Sequence, residues 1–209
     1  METLNSLKKI SPAVAGIVYI VYAAILMLSG VQGTGIVSSL AILGIGITCF
    51  IEKAVPVKMG LLLICAILSF ISVFSTFFGF VRMFFEGVIS FMDFIRIPLS
   101  LLTSALRIIA LAVLAALVFV SWKKMSSVIT RFWYVPAVIT IISAFIDAFI
   151  RFFNLIAYGM NFGHFFFGLL FDTIVMVIIS VIYAVGQAAL GLSTVVENEK
   201  TENENEIDE

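Results

Sequence analysis

Residues 98–122 read PLSLLTSALRIIALAVLAALVFVSW, a run of 25 residues in which Arg107 is the one charged side chain. A helix needs about 20 apolar residues, at 1.5 Å of rise each, to cross the hydrocarbon core of a bilayer. A chain inside lipid must also satisfy its backbone hydrogen bonds internally, and a helix does so. This stretch therefore predicts a transmembrane α-helix.

The same pattern recurs along the chain. Apolar runs of membrane-spanning length occupy six segments: 11–30, 34–51, 59–81, 98–122, 134–153 and 166–190. Of the 209 residues, 62% are hydrophobic and 12% are charged, whereas about 25% of the residues in a soluble domain are charged. We therefore predict an all-α integral membrane protein, with a bundle of about six transmembrane helices formed by residues 1–192.

Charge is distributed unevenly along the sequence. Residues 1–196 carry 11 basic and 6 acidic side chains, whereas residues 197–209 carry one basic and 7 acidic side chains. The acidic segment has almost no apolar side chains, so it cannot bury enough surface to offset the entropy of folding. We predict that residues 193–209 form an acidic, disordered cytoplasmic tail.

Basic residues between the spans predict the orientation, because cytoplasmic loops carry an excess of Lys and Arg. Seven basic residues flank one side of the predicted spans and three flank the other side. The seven are Lys8, Lys9, Lys53, Lys58, Lys123, Lys124 and Arg131, and the three are Arg82, Arg96 and Arg151. Both termini are therefore predicted to be cytoplasmic, in a protein of the plasma membrane.

The connection between the third and fourth spans is mostly apolar from Phe80 to Ile97. Its four charges lie within about 80° of one another at 100° per residue. These charges are Arg82, Glu86, Asp93 and Arg96. The pattern predicts an outer interfacial amphipathic helix between helices 3 and 4 with its charges toward water, or a continuation of the third span.

Small side chains recur along one face of the second and third spans. The second span carries Gly33, Gly35, Ser39, Gly44 and Gly46, and the third carries Cys65, Ser69, Ser72, Thr76 and Gly79. Small residues allow helix backbones to approach closely in a membrane. We expect both faces to be sites of close helix packing, so that these spans act as scaffold.

Three ionisable residues lie inside predicted spans: Arg107, Asp147 and Asp172. Each costs roughly 2.5–3.5 kcal/mol at the centre of a bilayer and so needs a partner or water. From the rise of a helix, the two acids lie roughly 9 Å, and the arginine roughly 14 Å, inside the same side of the membrane. We predict that Arg107 reaches Asp147 or Asp172.

Polar residues accompany these charges, and they predict a polar interior that opens outward. The candidate solute-binding residues are Arg107, Asp147, Arg151, Asn154 and Asp172. Two interpretations stay open. The charges either line a water-accessible pocket for a polar solute, or they pair with one another and only hold the helices together.

No motif predicts catalysis or a cofactor. The chain has one His and two Cys, and it lacks CxxC, HExxH, GxGxxG and Walker-type patterns. No basic tract with interleaved aromatic residues indicates a nucleic-acid partner. We predict a non-enzymatic protein without cofactor or metal, in contact with the lipid bilayer, that binds or transports a small polar solute. The alternative is an accessory subunit that interacts with another membrane protein.

Overall fold

The computed structural model describes residues 2–29, 34–87, 90–123, 131–157 and 164–207, and all regular secondary structure within these ranges is helical. The predicted all-α bundle of about six helices is confirmed. The helices are α1 (Glu2–Leu28), α2 (Thr34–Thr48), α3 (Val55–Phe85), α4 (Phe91–Trp122), α5 (Val135–Ala157) and α6 (His164–Ile207), with a 3₁₀ turn at Glu52–Ala54.

Within the described ranges, five helices contain a segment long and apolar enough to cross a membrane, which makes the chain an integral membrane protein. These segments are Ile10–Leu28, Val55–Phe85, Phe91–Trp122, Val135–Phe153 and Leu170–Val195. Helix α2 ends at Thr48, before the predicted limit of residue 51, because the chain turns there. Its 15 residues extend about 22 Å, which is less than the roughly 30 Å of a hydrocarbon core.

Consecutive helices pack side by side, and α6 also packs against α1 and α4. Consecutive helices run antiparallel, and so do α1 and α6. Gly46 near the end of α2 faces Gly16 in the first half of the apolar segment Ile10–Leu28 of α1, and Gly186 in the second half of the apolar segment Leu170–Val195 of α6 faces Val18. We call the end of the bundle where α4 finishes the near end. The end where α3 finishes and α4 begins is the far end.

The buried core is concentrated in the near half of the bundle. Its largest enclosed side chains come from different helices and include Tyr19, Ile45, Leu62, Leu114 and Leu190. Because these residues are at most 1% exposed, the near half is closed by apolar packing. Among the described residues, this half offers packed apolar side chains, and the cavities described below lie in the far half.

Close backbone approach holds α1 against α2. A Cβ atom added at Gly46 would lie 2.9 Å from the carbonyl oxygen of Gly16, which is too close for any larger residue without a shift of one helix. Packing by small residues is thus confirmed for the second span at Gly46. It is wrong for the far part of the third span, because a Cβ at Gly79 would meet nothing within 4 Å.

The outward surface of α3 and α5 is rich in phenylalanine. On α3, Phe70, Phe74, Phe77 and Phe78 are each about half exposed within the protein. On α5 the corresponding side chains are Phe145, Phe149 and Phe152. Large apolar side chains in such number would be costly in water, so this surface faces the lipid bilayer.

The segment 82–96 differs from the prediction of an interfacial helix between the third and fourth spans. Helix α3 continues to Phe85, Gly87 has φ of +68°, and α4 begins at Phe91, so the described residues contain no separate helix here. Ser90 and Asp93 form a capping box that starts α4. Helix α3 ends here because Gly87 can adopt a positive φ. Helix α4 can begin at Phe91 because the capping box satisfies backbone N–H groups of its first turn.

The four charges of this segment form two local ion pairs. Arg82 contacts Glu86 at 2.7 Å on the exposed end of α3, so both face outward as predicted. Asp93 was predicted to face water, and this is wrong, because the residue is only 8% exposed. Its carboxylate accepts hydrogen bonds from Ser90 and, at 2.8 Å, from Arg96.

At the other terminus α6 extends beyond the predicted limit of the bundle. The apolar segment of α6 continues to Val195, and Ser193 and Thr194 are buried. The backbone is helical through Ile207, in the segment for which we predicted disorder. Glu and Lys are good helix formers, which favours continuation of a helix that packing has already started. A separate cytoplasmic tail stays a prediction.

Candidate functional site

Arg107 on α4 forms an ion pair with Asp147 on α5. Its Nη2 donates a hydrogen bond to Oδ2 of the carboxylate, which confirms the predicted contact between Arg107 and one of the two acids. The Arg107 side chain is nevertheless 51% exposed and the Asp147 side chain 30% exposed. The helices therefore do not enclose this ion pair, and part of each side chain stays exposed.

Asp172 on α6 binds Arg151 on α5. Asp147 and Arg151 are four residues apart on α5, so they occupy one face of that helix, one turn apart. The two ion pairs consequently join α4 to α5 and α5 to α6. Asp172 keeps 58% of its side chain exposed, so this second pair is also open to its surroundings.

A cavity of about 430 Å³ lies beside these pairs in the far half of the bundle. Cavities that hold small molecules in proteins measure about 300–1,000 Å³. Its walls come from α3, α4, α5 and α6, and consist of Thr76, Arg96, Ile97, Ser100, Arg107, Ala144, Asp147, Ala148, Ile150, Arg151, Thr173, Met176, Val177 and Ser180. We call this space the main cavity.

Helix geometry explains how α4 and α5 build this wall. Arg96, Ser100 and Arg107 are separated by four and seven residues and lie within about 40° of one another on α4. Asp147 and Arg151 occupy one face of α5, as described above. Both helices thus direct charged side chains into the same space, whose walls also carry hydroxyl and apolar side chains.

Hydrogen-bonded and aromatic side chains close the main cavity toward the near end. Thr140 donates its hydroxyl hydrogen to Oε1 of Gln187 at 2.6 Å, one turn below Ala144, and both residues are buried. Tyr183 stacks on Tyr22, with ring centroids 4.4 Å apart, one turn below Ser180. These contacts join α1, α5 and α6 and form a floor between the main cavity and the apolar core.

A second cavity of about 290 Å³ lies on the other side of Arg107. It is lined by Gly35 and Ser38 of α2, by Leu68, Ser69 and Ser72 of α3, and by Ser104 and Arg107 of α4. Arg107 therefore contributes to the walls of both cavities. The small-residue face of the third span, for which we predicted close packing, instead lines open space at Ser69 and Ser72.

Most of the predicted site residues come together. Arg107, Asp147 and Arg151 line the main cavity, and Asp172 is attached to it through its ion pair with Arg151. The side chain of Asn154 lies outside the part of the chain that the structure describes. Among the described residues, no group of three His, Cys, Asp or Glu side chains could hold a metal ion.

Arg96 was missed as a site residue because the sequence places it in the connection between spans. The available signal was its spacing: Arg96, Ser100 and Arg107 share one face if α4 begins before residue 96. That start is marked by Ser90 and Asp93, whose spacing is that of a helix N-cap and its third residue. Recognition of the capping box would have extended the polar face from Ser100 to Arg96, by about one turn.

Comparison with known proteins gives no relative from which a function could be transferred. No protein-family model, no curated protein and no solved structure matches the chain.

Proposed function

We propose that the protein binds or transports a small polar solute in the main cavity. One observation carries this proposal: the charged groups of both interhelical ion pairs remain substantially exposed beside a cavity of ligand size. Ionisable side chains inside a membrane are expensive and commonly mark solute pathways. The cavity supplies a site that the solute would occupy, and the proposal assigns it no catalytic chemistry.

The exposure of the pairs is the argument against a purely structural role. An ion pair that only holds helices together can be enclosed by packing, but enclosure removes its water and carries a desolvation cost that its own geometry must offset. Here Arg107 and Asp172 each keep more than half of their side chain exposed. Water in the main cavity would lower the cost of these charges, and a water-filled cavity admits a polar solute.

We further propose that the far end faces outward, so that the cavity receives its solute from outside the cell, with both termini in the cytoplasm. The support is the distribution of basic residues. Lys53, Lys58, Lys123 and Arg131 lie at the near end, and cytoplasmic loops carry the excess of Lys and Arg. The Nζ atom of Lys123 lies over the ring of Trp122, 4.4 Å from its centre, an arrangement suited to a membrane interface.

The alternative is an accessory subunit that binds another membrane protein. The observation in its favour is the charge balance of the pairs, since Asp147 and Asp172 each have an arginine partner and need no ligand for neutrality. Under this alternative the pairs fix the order of α4, α5 and α6, and the cavity stays dry or filled by lipid chains.

Thiol accessibility distinguishes the two proposals. In a background with Cys49 and Cys65 replaced by alanine, we would introduce Ser100→Cys into the wall of the main cavity. The matched control is Leu102→Cys, two residues away on the lipid-facing side of α4. A hydrophilic, charged maleimide should label Ser100→Cys readily and Leu102→Cys at least about tenfold more slowly, because only a thiol in water ionises and reacts.

The opposite outcome would remove the basis of the proposal. If both thiols resist the hydrophilic reagent but react with a lipid-soluble one, the cavity holds no water. The accessory-subunit alternative would then be the better account.

A further inference from the structure

Arginine dominates the charged wall of the main cavity. Arg96, Arg107 and Arg151 all line it, whereas the described residues of the wall include one carboxylate, that of Asp147. A cavity intended for a cation would show the reverse ratio, because a cation needs carboxylate or carbonyl oxygen atoms around it. The excess of arginine over carboxylate on the wall therefore indicates the sign of the charge on the solute.

We infer that the main cavity takes an oxyanion, a small solute with a carboxylate, phosphate or sulfate group. This inference rests on the proposed function, because it names the chemical class of the solute for the same site. It adds a residue, Arg96, that the sequence had not assigned to the site. It also gives the three arginines one shared role.

The acidic partners of these arginines do not compete equally for them. Asp93 is held in the capping box by Ser90, and its second oxygen accepts one bond from Arg96. Asp93 is thereby fixed at the start of α4, where a carboxylate also interacts favourably with the helix dipole. Because Asp93 stays at its cap, Arg96 can bind a solute without leaving a loose carboxylate.

Guanidinium groups can bind more than one acceptor. Each carries five N–H donors in a rigid fork that matches the two oxygen atoms of a carboxylate or phosphate. Arg107 contacts Asp147 through Nη2, and Arg151 contacts Asp172 through Nη1. The other edges of both groups are suited to a second oxyanion, which would make charge-assisted hydrogen bonds in a cavity of reduced dielectric.

The Arg107–Asp147 contact shows that this site accommodates a carboxylate. Asp147 is an oxyanion supplied by the protein itself, bound by an arginine of the cavity wall. A solute oxyanion would join or displace it, with Arg107 shared between the two cavities on either side. The same chemistry could come from a dissolved anion or from the phosphate of an anionic lipid, and the experiment separates these sources.

The test uses the full-length protein in nanodiscs of zwitterionic lipid. The midpoint of thermal unfolding would be measured against increasing phosphate, sulfate, acetate and succinate at constant ionic strength. Choline and glycerol are the cationic and neutral comparison solutes. We expect at least one oxyanion to raise the midpoint saturably, and choline and glycerol to leave it unchanged.

Two variants and one control locate the effect. Arg96→Gln should raise the half-saturating oxyanion concentration roughly tenfold or more, because one charge-assisted contact is lost while Ser90 still holds Asp93. Arg107→Lys keeps a positive charge opposite Asp147 but lacks the planar fork, so it should weaken binding and still fold. Arg82→Gln, which removes an exposed pair outside the cavity, should leave the half-saturating concentration unchanged.

Each other outcome has a distinct meaning. If neither the dissolved oxyanions nor added phosphatidylglycerol stabilises the protein, or if Arg82→Gln weakens binding as much as Arg96→Gln does, the inference is wrong. Saturable stabilisation by choline or glycerol alone would overturn it and leave the proposed function standing. If added phosphatidylglycerol raises the midpoint in an Arg96-dependent manner and the dissolved anions do not, the oxyanion site is supported with a lipid as its source. That result would contradict the proposed solute function.

Discussion

Arg107 occupies the middle of α4, about 22 Å from Trp122 by the rise of a helix. At this depth an arginine without a partner would be strongly unfavourable in lipid. Its contact with Asp147 and its position between two cavities supply a counter-charge and access to polar surroundings. A single residue thus connects the packing of α4 and α5 to the chemistry of the candidate site.

This position leads to a prediction for stability. Arg107→Leu should lower the free energy of unfolding by about 2 kcal/mol, because it leaves the carboxylate of Asp147 without its partner. The double variant Arg107→Leu/Asp147→Leu should lose less than the single variant, since no unpaired charge remains. Reversible unfolding in mixed detergent micelles would measure both.

Arg82→Leu serves as the control for this pair. Arg82 and Glu86 also form an arginine–carboxylate ion pair, but it is exposed at the end of α3, where such pairs contribute little. The free energy of unfolding of Arg82→Leu should stay within about 0.5 kcal/mol of that of the original protein. If the double variant at positions 107 and 147 were less stable than Arg107→Leu, the pair would not act as described.

At the scale of elements, the break between α3 and α4 determines where Arg96 lies. A continuous helix would direct Arg96 differently and extend α3 far beyond the bilayer. Gly87, with φ of +68°, allows the reversal, and Ser90 starts α4 so that Arg96 reaches the main cavity. The local conformation of two residues therefore positions part of the site.

We predict that Gly87→Ala destabilises the protein by about 1–2 kcal/mol, because an L-residue rarely adopts this backbone conformation. The cost is conformational and not steric, since an added Cβ would meet nothing within 4 Å. Gly79→Ala is a matched control, with the same open space but a helical backbone in α3. It should be neutral or stabilise by up to about 1 kcal/mol. Equal losses for the two variants in the same unfolding assay would contradict the assigned role of Gly87.

The sequence contained the signals for this break, although the helical-wheel argument did not use them. A single helical wheel through Arg82, Glu86, Asp93 and Arg96 holds only for one continuous helix and does not reveal a change of direction between these residues. Gly87 followed by a potential capping box was the relevant pattern. The shorter α2 was harder to foresee, because Cys49 and Phe50 are apolar and hydropathy does not distinguish a turn from a helix there.

At the scale of the whole molecule, hydropathy alone was sufficient to predict the class of fold and the number of helices. The depth of Arg107, Asp147 and Asp172 followed from the rise of a helix, and placed them in one half of the membrane. The sequence did not predict which acid pairs with which arginine, because the pairing depends on which helices are neighbours. Contacts of α5 with both α4 and α6 assign Asp147 to Arg107, and Asp172 to Arg151.

The molecule is divided into two halves of different character. Large apolar side chains close the near half, and two cavities lined by arginine and hydroxyl groups occupy the far half. The central claim is that the main cavity is a water-filled site that is open at the far end and reaches deep into the bundle. Its deepest polar residue on α6 is Ser180.

One measurement on intact cells tests this claim most directly. In the background without Cys49 and Cys65, Ser180→Cys and Val181→Cys would be exposed to a membrane-impermeant charged maleimide. These residues are adjacent on α6, but Ser180 lines the main cavity whereas Val181 lies on the lipid-facing surface. Ser126→Cys, between the fourth and fifth spans, lies on the cytoplasmic side under the proposed orientation and therefore tests that orientation in the same cells. The account predicts labelling of Ser180→Cys and none of Val181→Cys or Ser126→Cys. Labelling of Ser126→Cys with protection of Ser180→Cys would contradict both the open cavity and its outward orientation.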